Sequence, residues 1–360
     1  MHVILFLNHR CNLACTYCYN GKKFDSPLSY ELIEKGIDLA FTRGDVRITF
    51  FGGEPLLEFE RIQYAVAYAK KKKLTDDQRL LRFCTTVNGT LLDAEKMAYF
   101  KKEDFFVAVS MDGVAAACNL NRRYPDGAPA YDDIVRGAER VKQTMGKVAL
   151  SAVVDPSNVN WMAESFAHVI ALGAYRFSFN FNYDAHWDEP ALAQYKSQMK
   201  RVTQHYVNAY RAGNAIDYST FTSKIRSHLN DGLQSKCKFG EGELTLAPSG
   251  RLYPCERLVG EDTNAELCIG HIDTGINLEK VLAFKRARLH KDADCSSCAV
   301  EHRCVYFCGC INYATTGTIG TVSSLLCEVE QTNIAAADEA ASILYAEQNP
   351  AFLKRIYLTA

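Results

Sequence analysis

The sequence predicts an α/β protein with a parallel sheet or barrel, helices outside it, and a smaller cysteine-rich region after it. In the first half of the chain, short apolar runs alternate about six times with longer segments of helical spacing. This alternation is typical of repeated strand–helix units. The 360 residues suffice for two or three domains at roughly 100–200 residues each. The 14 cysteines are concentrated around residues 11–18 and 255–310.

The predicted strands are short apolar runs, and the predicted helices have apolar residues three and four positions apart. The strands are Val3–Leu7, Val46–Phe51, Leu81–Val87, Phe105–Ser110, Val148–Val154 and Tyr175–Phe181. The helices between them are Tyr30–Thr42, Phe59–Lys71, Ala94–Lys101, Asp133–Thr144 and Trp161–Leu172. In barrels of this kind the chemistry takes place at the carboxyl ends of the strands, and we expect the functional motifs there.

The second half is predicted to begin with a helix-rich stretch over Pro190–Asn214. The second cysteine region then runs from Cys237 to Cys327, and a helix is predicted over Asn333–Gln348, ahead of Pro350. We place the domains at 1–186 (barrel), 187–234 (helical bridge), 235–330 (cysteine-rich domain) and 331–360 (C-terminal helix and tail).

Composition excludes several classes of protein. With 41 basic against 42 acidic residues and a net charge of −1, the chain lacks the basic excess of a nucleic-acid binder. It contains neither the ~18–20 consecutive apolar residues of a membrane span nor a signal-peptide pattern. We therefore predict a cytoplasmic protein without nucleic-acid or membrane partners. Clustered thiols in a reducing compartment indicate metal ligands first and redox pairs second.

The most specific motif is Cys11-Asn-Leu-Ala-Cys15-Thr-Tyr17-Cys18, directly after the first strand. Three thiolates leave one iron of a 4Fe–4S cluster open to an outside ligand, whereas a structural zinc site would need a fourth ligand such as His9. The motif, its position and Tyr17 resemble the radical S-adenosylmethionine (radical SAM) superfamily. That resemblance implies a partial (β/α)6 TIM barrel that binds a 4Fe–4S cluster and SAM.

Gly52-Gly53-Glu54 ends the second predicted strand. Glycines allow a ligand to approach the backbone, and Glu54 can accept a hydrogen bond from an ammonium group. An ordinary turn is the alternative. The resemblance implies that this motif binds the methionine amino group of SAM.

Motifs at the ends of the third and fourth strands extend the resemblance, which implies that Tyr17, Asn88 and Ser110 lie near the cofactor. Asn88 and Asp112 each precede a glycine and are equally consistent with structural turns. The family branch usually has an acid before the arginine that follows. This chain has Cys118-Asn-Leu-Asn-Arg122-Arg123 instead, and we expect Arg122 to bind the cofactor's carboxylate.

The second cysteine region resembles the SPASM extension of radical SAM enzymes, which carries two auxiliary 4Fe–4S clusters; two zinc sites are the alternative. The resemblance implies one cluster on four thiolates and another on three. The four are Cys295, Cys298, Cys304 and Cys327, and the three are Cys237, Cys255 and Cys308.

The fourth ligand of the three-thiolate cluster is not evident. Several relatives carry a cysteine a few residues before the position of Cys237, but residues 228–236 contain none. We therefore predict an open or exchangeable iron there, with Cys310 or Cys268 as the alternative fourth ligand. The two remaining cysteines, Cys84 and Cys118, are predicted to be core thiols.

The resemblance implies reductive cleavage of SAM to a 5′-deoxyadenosyl radical. The predicted function is modification of side chains of a ribosomally synthesised peptide, by oxidation or by a C–S or C–C cross-link. Glu256 is the predicted proton acceptor, because the relatives that make formylglycine in sulfatases carry an aspartate at that spot. The alternatives are formylglycine formation on a protein Cys or Ser, modification of a small sugar or aminocyclitol, and a non-enzymatic iron–sulfur electron carrier.

The predicted partners are a peptide substrate and a flavodoxin or ferredoxin reductant. The first predicted strand starts at Val3, so we expect no leader-binding domain ahead of the barrel. A separate leader-binding protein would then deliver the peptide, or the enzyme would recognise it directly.

Overall fold

The computed structural model describes residues 1–74, 79–229 and 237–357. Its first six strands run parallel, and each pairs with the next in chain order. They are β1 His2–Phe6, β2 Val46–Phe51, β3 Leu81–Val87, β4 Phe106–Ser110, β5 Val148–Val154 and β6 Ala174–Phe181. The predicted (β/α)6 partial barrel is confirmed.

Helices connect these strands. They are α1 Tyr30–Ala40, α2 Phe59–Lys73, α3 Ala94–Lys102, α4 Ala115–Asn121, α5 Tyr131–Met145 and α6 Met162–Ala171. Five of them were predicted, each with ends within two residues of the observed ones. Helix α5, for example, begins at Tyr131, two residues before its predicted start at Asp133. The seven-residue α4 was not predicted. It is too short to show a helical period in the sequence.

The strands form where apolar residues can be covered on both faces, as in parallel sheets. Val3, Ile4 and Leu5 are successive residues of β1, so their side chains point alternately to opposite faces. All three are at most 4 % exposed. Burial on both faces is why β1 reads as an unbroken apolar run rather than an alternating one.

The sheet continues beyond the barrel at both edges, giving eleven strands in the described ranges. The added strands are β7 Asp217–Tyr218, β8 Glu243–Leu246, β9 Arg251–Tyr253, β10 Gly270–His271 and β11 Gly275–Ile276. Strand β8 pairs in parallel with β1, with His2 opposite Glu243, and His2 Nδ1 lies 2.8 Å from Glu243 Oε2. The cysteine-rich region is therefore attached directly to the first barrel strand.

The remaining helices are α7 Glu189–Arg211, α8 Ser219–Leu229, α9 Leu278–Leu289, α10 Ala293–Ser297, α11 Gly309–Thr316, α12 Ser324–Ala346 and α13 Pro350–Tyr357. The predicted start of the last long helix at Asn333 was wrong. Helix α12 begins nine residues earlier, at Ser324. Ser323 caps it by accepting a hydrogen bond from Leu326 N at 3.2 Å. Cys327 therefore lies in its first turn. Within the described ranges, no helix is long and apolar enough to cross a membrane.

Candidate functional site

The carboxyl ends of the barrel strands surround one cavity of about 330 Å³. Every residue predicted to bind the N-terminal cluster or SAM lines it, and so does the predicted base. These residues are Cys11, Cys15, Tyr17, Cys18, Gly52, Gly53, Glu54, Asn88, Ser110, Arg122 and Glu256. The cavity is also lined by Asn180, which lies in β6, and by Asn182 and Asp184, which follow the end of that strand.

The loop carrying the first three cysteines is held by backbone contacts to the end of α4. Ala14 N donates to Arg123 O at 2.8 Å, and Thr16 N donates to Asn121 O at 3.1 Å. The loop is also close to a cation, because Lys23 Nζ donates to Cys18 Sγ at 2.8 Å. No sequence pattern pointed to Lys23, because its proximity to Cys18 depends on how the loop turns back.

Burial raises the pKa of the Cys11 thiol to about 12. In the absence of a metal ion this thiol is therefore protonated near neutral pH, and metal binding must displace the proton. All three thiols are free and face the same cavity. A set of soft thiolate donors of this kind suits iron in a 4Fe–4S cluster.

The end of β2 packs tightly against the cysteine loop. Gly53 N donates to Asn8 O at 2.8 Å, and Glu54 N donates to Arg10 O at 2.8 Å. A Cβ atom at Gly53 would lie only 2.0 Å from Arg10 O. Glycine is therefore required at this position for close contact between two backbones.

Glu54 is 2 % exposed, and its carboxylate is held by two backbone N–H groups. Oε1 accepts from Leu56 N at 3.0 Å, and Oε2 accepts from Asn88 N at 2.7 Å. Burial raises the pKa of Glu54 to about 7, against the lowering effect of those two hydrogen bonds. The side chain is thus held in one orientation at the cavity wall and can change its charge near neutral pH.

Arg122 is the predicted carboxylate-binding arginine, and it is 6 % exposed. Its Nη2 lies 3.1 Å from Asp112 Oδ1, and its guanidinium lies 5.5 Å from the centre of the Tyr17 ring. Asp112 therefore supplies the acid that the segment before Arg122 lacks. The Nε of Arg122 is buried and has no hydrogen-bond partner among the described residues.

Asp112 does not line the cavity but connects the groups that do. Its Oδ2 accepts from Tyr17 OH, and its Oδ1 also accepts from Val153 N at 2.9 Å. The sequence left Asp112 as either functional or structural. In the structure it orients Tyr17 and Arg122, a role that depends on contacts far apart in the chain.

Glu256 and Arg257 also line the cavity. Glu256 Oε2 accepts a hydrogen bond from Cys255 Sγ at 3.6 Å, and burial raises the pKa of Glu256. Arg257 lies over the Tyr19 ring at 5.3 Å and 3.2 Å from Asp184. Arg257 was missed by sequence reasoning, because a single arginine next to Glu256 forms no recognisable pattern.

The second cysteine region folds into two sets of thiols. In the first set the pKa of Cys295 is raised to about 11, mainly by burial and a hydrogen bond with Asp292, with contributions from Cys327 and Cys298. Burial is also the main cause of the raised pKa of Cys304, to which Cys327 contributes. These effects indicate that the four cysteines lie in one region, and that they share one cluster stays a prediction.

The second set contains the three cysteines predicted to share the other cluster. Cys255 belongs to an apolar cluster beneath β1, against which Cys237 and Cys308 pack. Burial is the main cause of the raised pKa of Cys237, to which Cys308 contributes. A further thiol, Cys310, lies in the same cluster.

Comparison with known sequences identifies a family for the first part of the chain: residues 5–168 match the radical SAM superfamily. Among curated proteins, the chain is 25% identical over 284 residues to the uncharacterised protein MJ0907 of Methanocaldococcus jannaschii, covering 78% of this chain and 92% of that one. It is 24% identical over 321 residues to a serine-type anaerobic sulfatase-maturating enzyme of Klebsiella aerogenes, covering 82% and 76%.

Comparison with solved structures covers nearly the whole chain. The protein anSMEcpe with bound AdoMet matches 99% of this chain and 98% of its own, with a TM-score of 0.82 at 18% identity. Another structure of it holds AdoMet and a peptide called Cp18Cys. SuiB of Streptococcus suis, bound to its precursor peptide SuiA, matches 91% of this chain and 75% of its own, with a TM-score of 0.61 at 15% identity. At these identities the likeness shows the fold, including that of the cysteine-rich half.

Proposed function

We propose that this chain, which belongs to the radical SAM superfamily and is therefore an enzyme, modifies side chains of a ribosomally synthesised peptide by oxidation or cross-linking. Membership of the superfamily implies a 4Fe–4S cluster and SAM. The observation that carries the proposal is that the thiols for this cluster and the candidate base Glu256 line the same cavity. A substrate in that cavity would be within reach of both.

Cys11, Cys15 and Cys18 would hold the cluster, leaving one iron for SAM. When bound, the cluster and SAM supply a 5′-deoxyadenosyl radical able to remove a hydrogen atom from an unactivated carbon. The contribution of the protein is to bind, orient and exclude water. The strand ends are suited to this role, because they present their functional groups on a buried and rigid framework.

Glu54 would accept a hydrogen bond from the amino group of SAM, and Arg122, which lines the same cavity, would bind its carboxylate. Gly52 and Gly53 keep the backbone close to the cysteine loop, and Asn88 and Ser110 complete the wall. Tyr17 would act mainly by supporting Arg122. The opposite charges at the two ends of this wall match the amino and carboxylate groups of an amino acid.

SAM binding is expected to strengthen as the pH rises. Glu54 has a pKa of about 7, so it is mostly protonated at about pH 6 and mostly ionised at about pH 8. Only the ionised form attracts an ammonium group, and the α-amino group of SAM itself begins to lose its proton near pH 8, so we expect the Kd for SAM to fall about threefold to fivefold across this interval. Calorimetric titration of the anaerobic protein measures this, and Glu54→Gln should bind weakly with no such trend. An unchanged wild-type Kd would contradict the assignment.

The two further thiol sets would hold auxiliary clusters, one on Cys237, Cys255 and Cys308 and one on Cys295, Cys298, Cys304 and Cys327. Once a hydrogen atom has been removed from the substrate, a net oxidation requires that the substrate also lose one electron and one proton. The auxiliary sites would provide the electron acceptor, and a flavodoxin or ferredoxin would supply the electron that starts each turnover.

Glu256 would take the proton. It lies at the cavity wall beside Cys255, and its raised pKa, caused mainly by burial, makes it a stronger base than an exposed carboxylate. Its position links the cavity to the auxiliary thiols, so the proton and the electron would leave the substrate on the same side.

A peptide substrate is supported by the fold. The anSMEcpe structure with a peptide and the SuiB structure with its precursor peptide both have this fold, and polar groups such as Asn180 and Asn182 line the cavity. Formylglycine formation on a protein Cys or Ser is the second candidate. It is favoured by the likeness to the Klebsiella aerogenes enzyme over 82% of this chain and by a carboxylate directly after Cys255.

Deuterium transfer distinguishes these functions. Synthetic peptides containing one cysteine or one serine would be deuterated either at its β-carbon or at the α-carbon of neighbouring residues. Cross-linking predicts deuterium from an α-carbon in 5′-deoxyadenosine and a peptide lighter by two hydrogen atoms. Formylglycine formation predicts transfer from the β-carbon and an aldehyde. SAM cleavage without transfer from any of these peptides would contradict formylglycine formation and cross-linking at an α-carbon.

Replacing Glu256 with Gln is expected to separate SAM cleavage from product formation. Glutamine keeps the shape but is not a base, so 5′-deoxyadenosine should still form while modified peptide falls about 10²–10⁴-fold. Both products are measured in the same reaction by mass spectrometry. Glu266→Gln is the control, because Glu266 is exposed and does not line the cavity. Normal product formation by Glu256→Gln would exclude Glu256 as the base.

A further inference from the structure

The apolar cluster beneath β1 contains more thiols than the three expected at that auxiliary site. Cys255 and Cys310 are 6 % and 7 % exposed, and Cys237 and Cys308 pack against the same cluster. Free cysteines are often buried as small apolar residues. With Cys268, which also packs against the apolar cluster, five cysteines meet there, so a fourth ligand can be sought among them.

Cys310 lies among these thiols. Its Sγ lies 3.4 Å from Cys308 Sγ, and it is buried in the same apolar cluster as Cys255. It therefore contacts one of the three predicted ligands of this site and shares a buried cluster with a second. The only residue between Cys308 and Cys310 is Gly309, where a Cβ atom would lie 2.7 Å from the Phe239 ring. Gly309 thus lets the first turn of α11 approach Phe239 closely, with a thiol on either side of it in the sequence.

Cys268, the other candidate, is placed differently. It packs against the same apolar cluster, but its thiol donates to the backbone oxygen of Gly270 at 2.9 Å. In the described part of the chain it is not hydrogen-bonded to another thiol. The segment before Cys237 lies outside the described residues from 230 to 236 and contains no cysteine in any case.

The surroundings of Cys310 also suit an anionic centre. Arg257 is the cation that acts on both Cys308 and Cys310. Arg257 also lines the cavity and pairs with Asp184. One arginine therefore lies between the substrate cavity and this group of thiols, and it can partly balance negative charge that the thiolates bring into a buried region.

We propose that Cys310 is the fourth protein ligand of the auxiliary cluster held by Cys237, Cys255 and Cys308, so that this cluster is closed to substrate. The inference rests on the proposed auxiliary clusters. It replaces the open or exchangeable iron expected from the sequence. The substrate is then bound by the cavity walls alone and does not coordinate the cluster through a thiolate.

The test compares Cys310→Ala, Cys310→Ser and the control Cys268→Ala with the wild-type enzyme, all reconstituted anaerobically. Three clusters correspond to about 12 irons per chain. We expect the Cys310 variants either to lose about four irons or to keep them with a changed EPR spectrum in the reduced state, while Cys268→Ala matches the wild type. Adding 2-mercaptoethanol should alter the auxiliary EPR signal in the Cys310 variants and leave that of the wild type unchanged.

The outcomes separate this inference from the proposed function. Full iron and an unchanged spectrum in both Cys310 variants would overturn the role of Cys310, and so would a wild-type signal that responds to the thiol. A cluster lost in Cys268→Ala would assign the fourth ligand to Cys268. A wild-type protein with only about four irons would instead refute the auxiliary clusters themselves. Circular dichroism of each variant checks that it has folded.

Discussion

Replacing Cys11, Cys15 and Cys18 with alanine in one variant is expected to reduce SAM cleavage to background. Without the three thiolates the cluster that reduces SAM has no protein ligands, and no other group in the cavity replaces a soft donor set of this kind. The iron content should fall by about four per chain while the auxiliary clusters remain. Formation of 5′-deoxyadenosine under a chemical reductant and iron analysis measure the two effects independently.

Cys84→Ala is the matched control for that variant. Cys84 is partly buried in β3, and the groups that influence its thiol are Arg47, Thr49 and Arg82 rather than other cysteines. It should therefore keep full iron and full SAM cleavage. If 5′-deoxyadenosine still accumulated in the triple variant, the assignment of the N-terminal cluster would be wrong. If zinc replaced iron in the protein, the radical chemistry would be excluded.

Gly53→Ala is expected to have the second largest effect. The added methyl group would lie 2.0 Å from Arg10 O and 2.8 Å from His9 O, and these backbone atoms cannot move without displacing the loop that carries Cys11. Overpacking of this kind costs about 1–3 kcal/mol of unfolding free energy. We expect in addition a partial loss of the N-terminal cluster and weaker SAM binding, because the ligand loop and Glu54 would no longer be in register.

Gly242→Ala provides the comparison for Gly53→Ala. Neither glycine has a positive φ, and a Cβ atom at Gly242 would meet only the flexible side chain of Lys238. Denaturant unfolding, iron content and SAM binding should all stay close to wild type in this control. Normal SAM binding and full iron in Gly53→Ala would show that the close contact between β2 and the cysteine loop is not needed.

The barrel could be predicted in detail because its strands are covered on both faces. Strands β3 and β5 have the predicted bounds, since each is a short run of apolar residues limited by polar or turn-forming residues. The start of α12 was mistaken because Thr332 and Asn333 also resemble a helix cap. The observed cap is Ser323. The apolar residues that follow it, such as Leu326, are buried against distant segments of the chain, and the local sequence does not show that burial.

The predicted site residues share one cavity because the motifs follow consecutive parallel strands, whose carboxyl ends meet at one side of a barrel. The sequence could not show which groups orient them. Asp112 is 95 residues from Tyr17, and neither residue indicates the other by spacing or residue type. Arg257 likewise becomes part of the cavity only because β8 pairs with β1 and brings the cysteine-rich region to the barrel.

From the sequence alone, the kind of protein was already determined. Local apolar patterns dictate the barrel strands, and the spacing of Cys11, Cys15 and Cys18 indicates the cluster that the superfamily implies. The tertiary structure decided which groups act together: the Asp112 carboxylate accepts hydrogen bonds from Tyr17 and Arg122, and the Cys310 thiol lies against that of Cys308. Such contacts depend on the pairing of distant segments, and a pattern of neighbouring residues carries no record of that pairing.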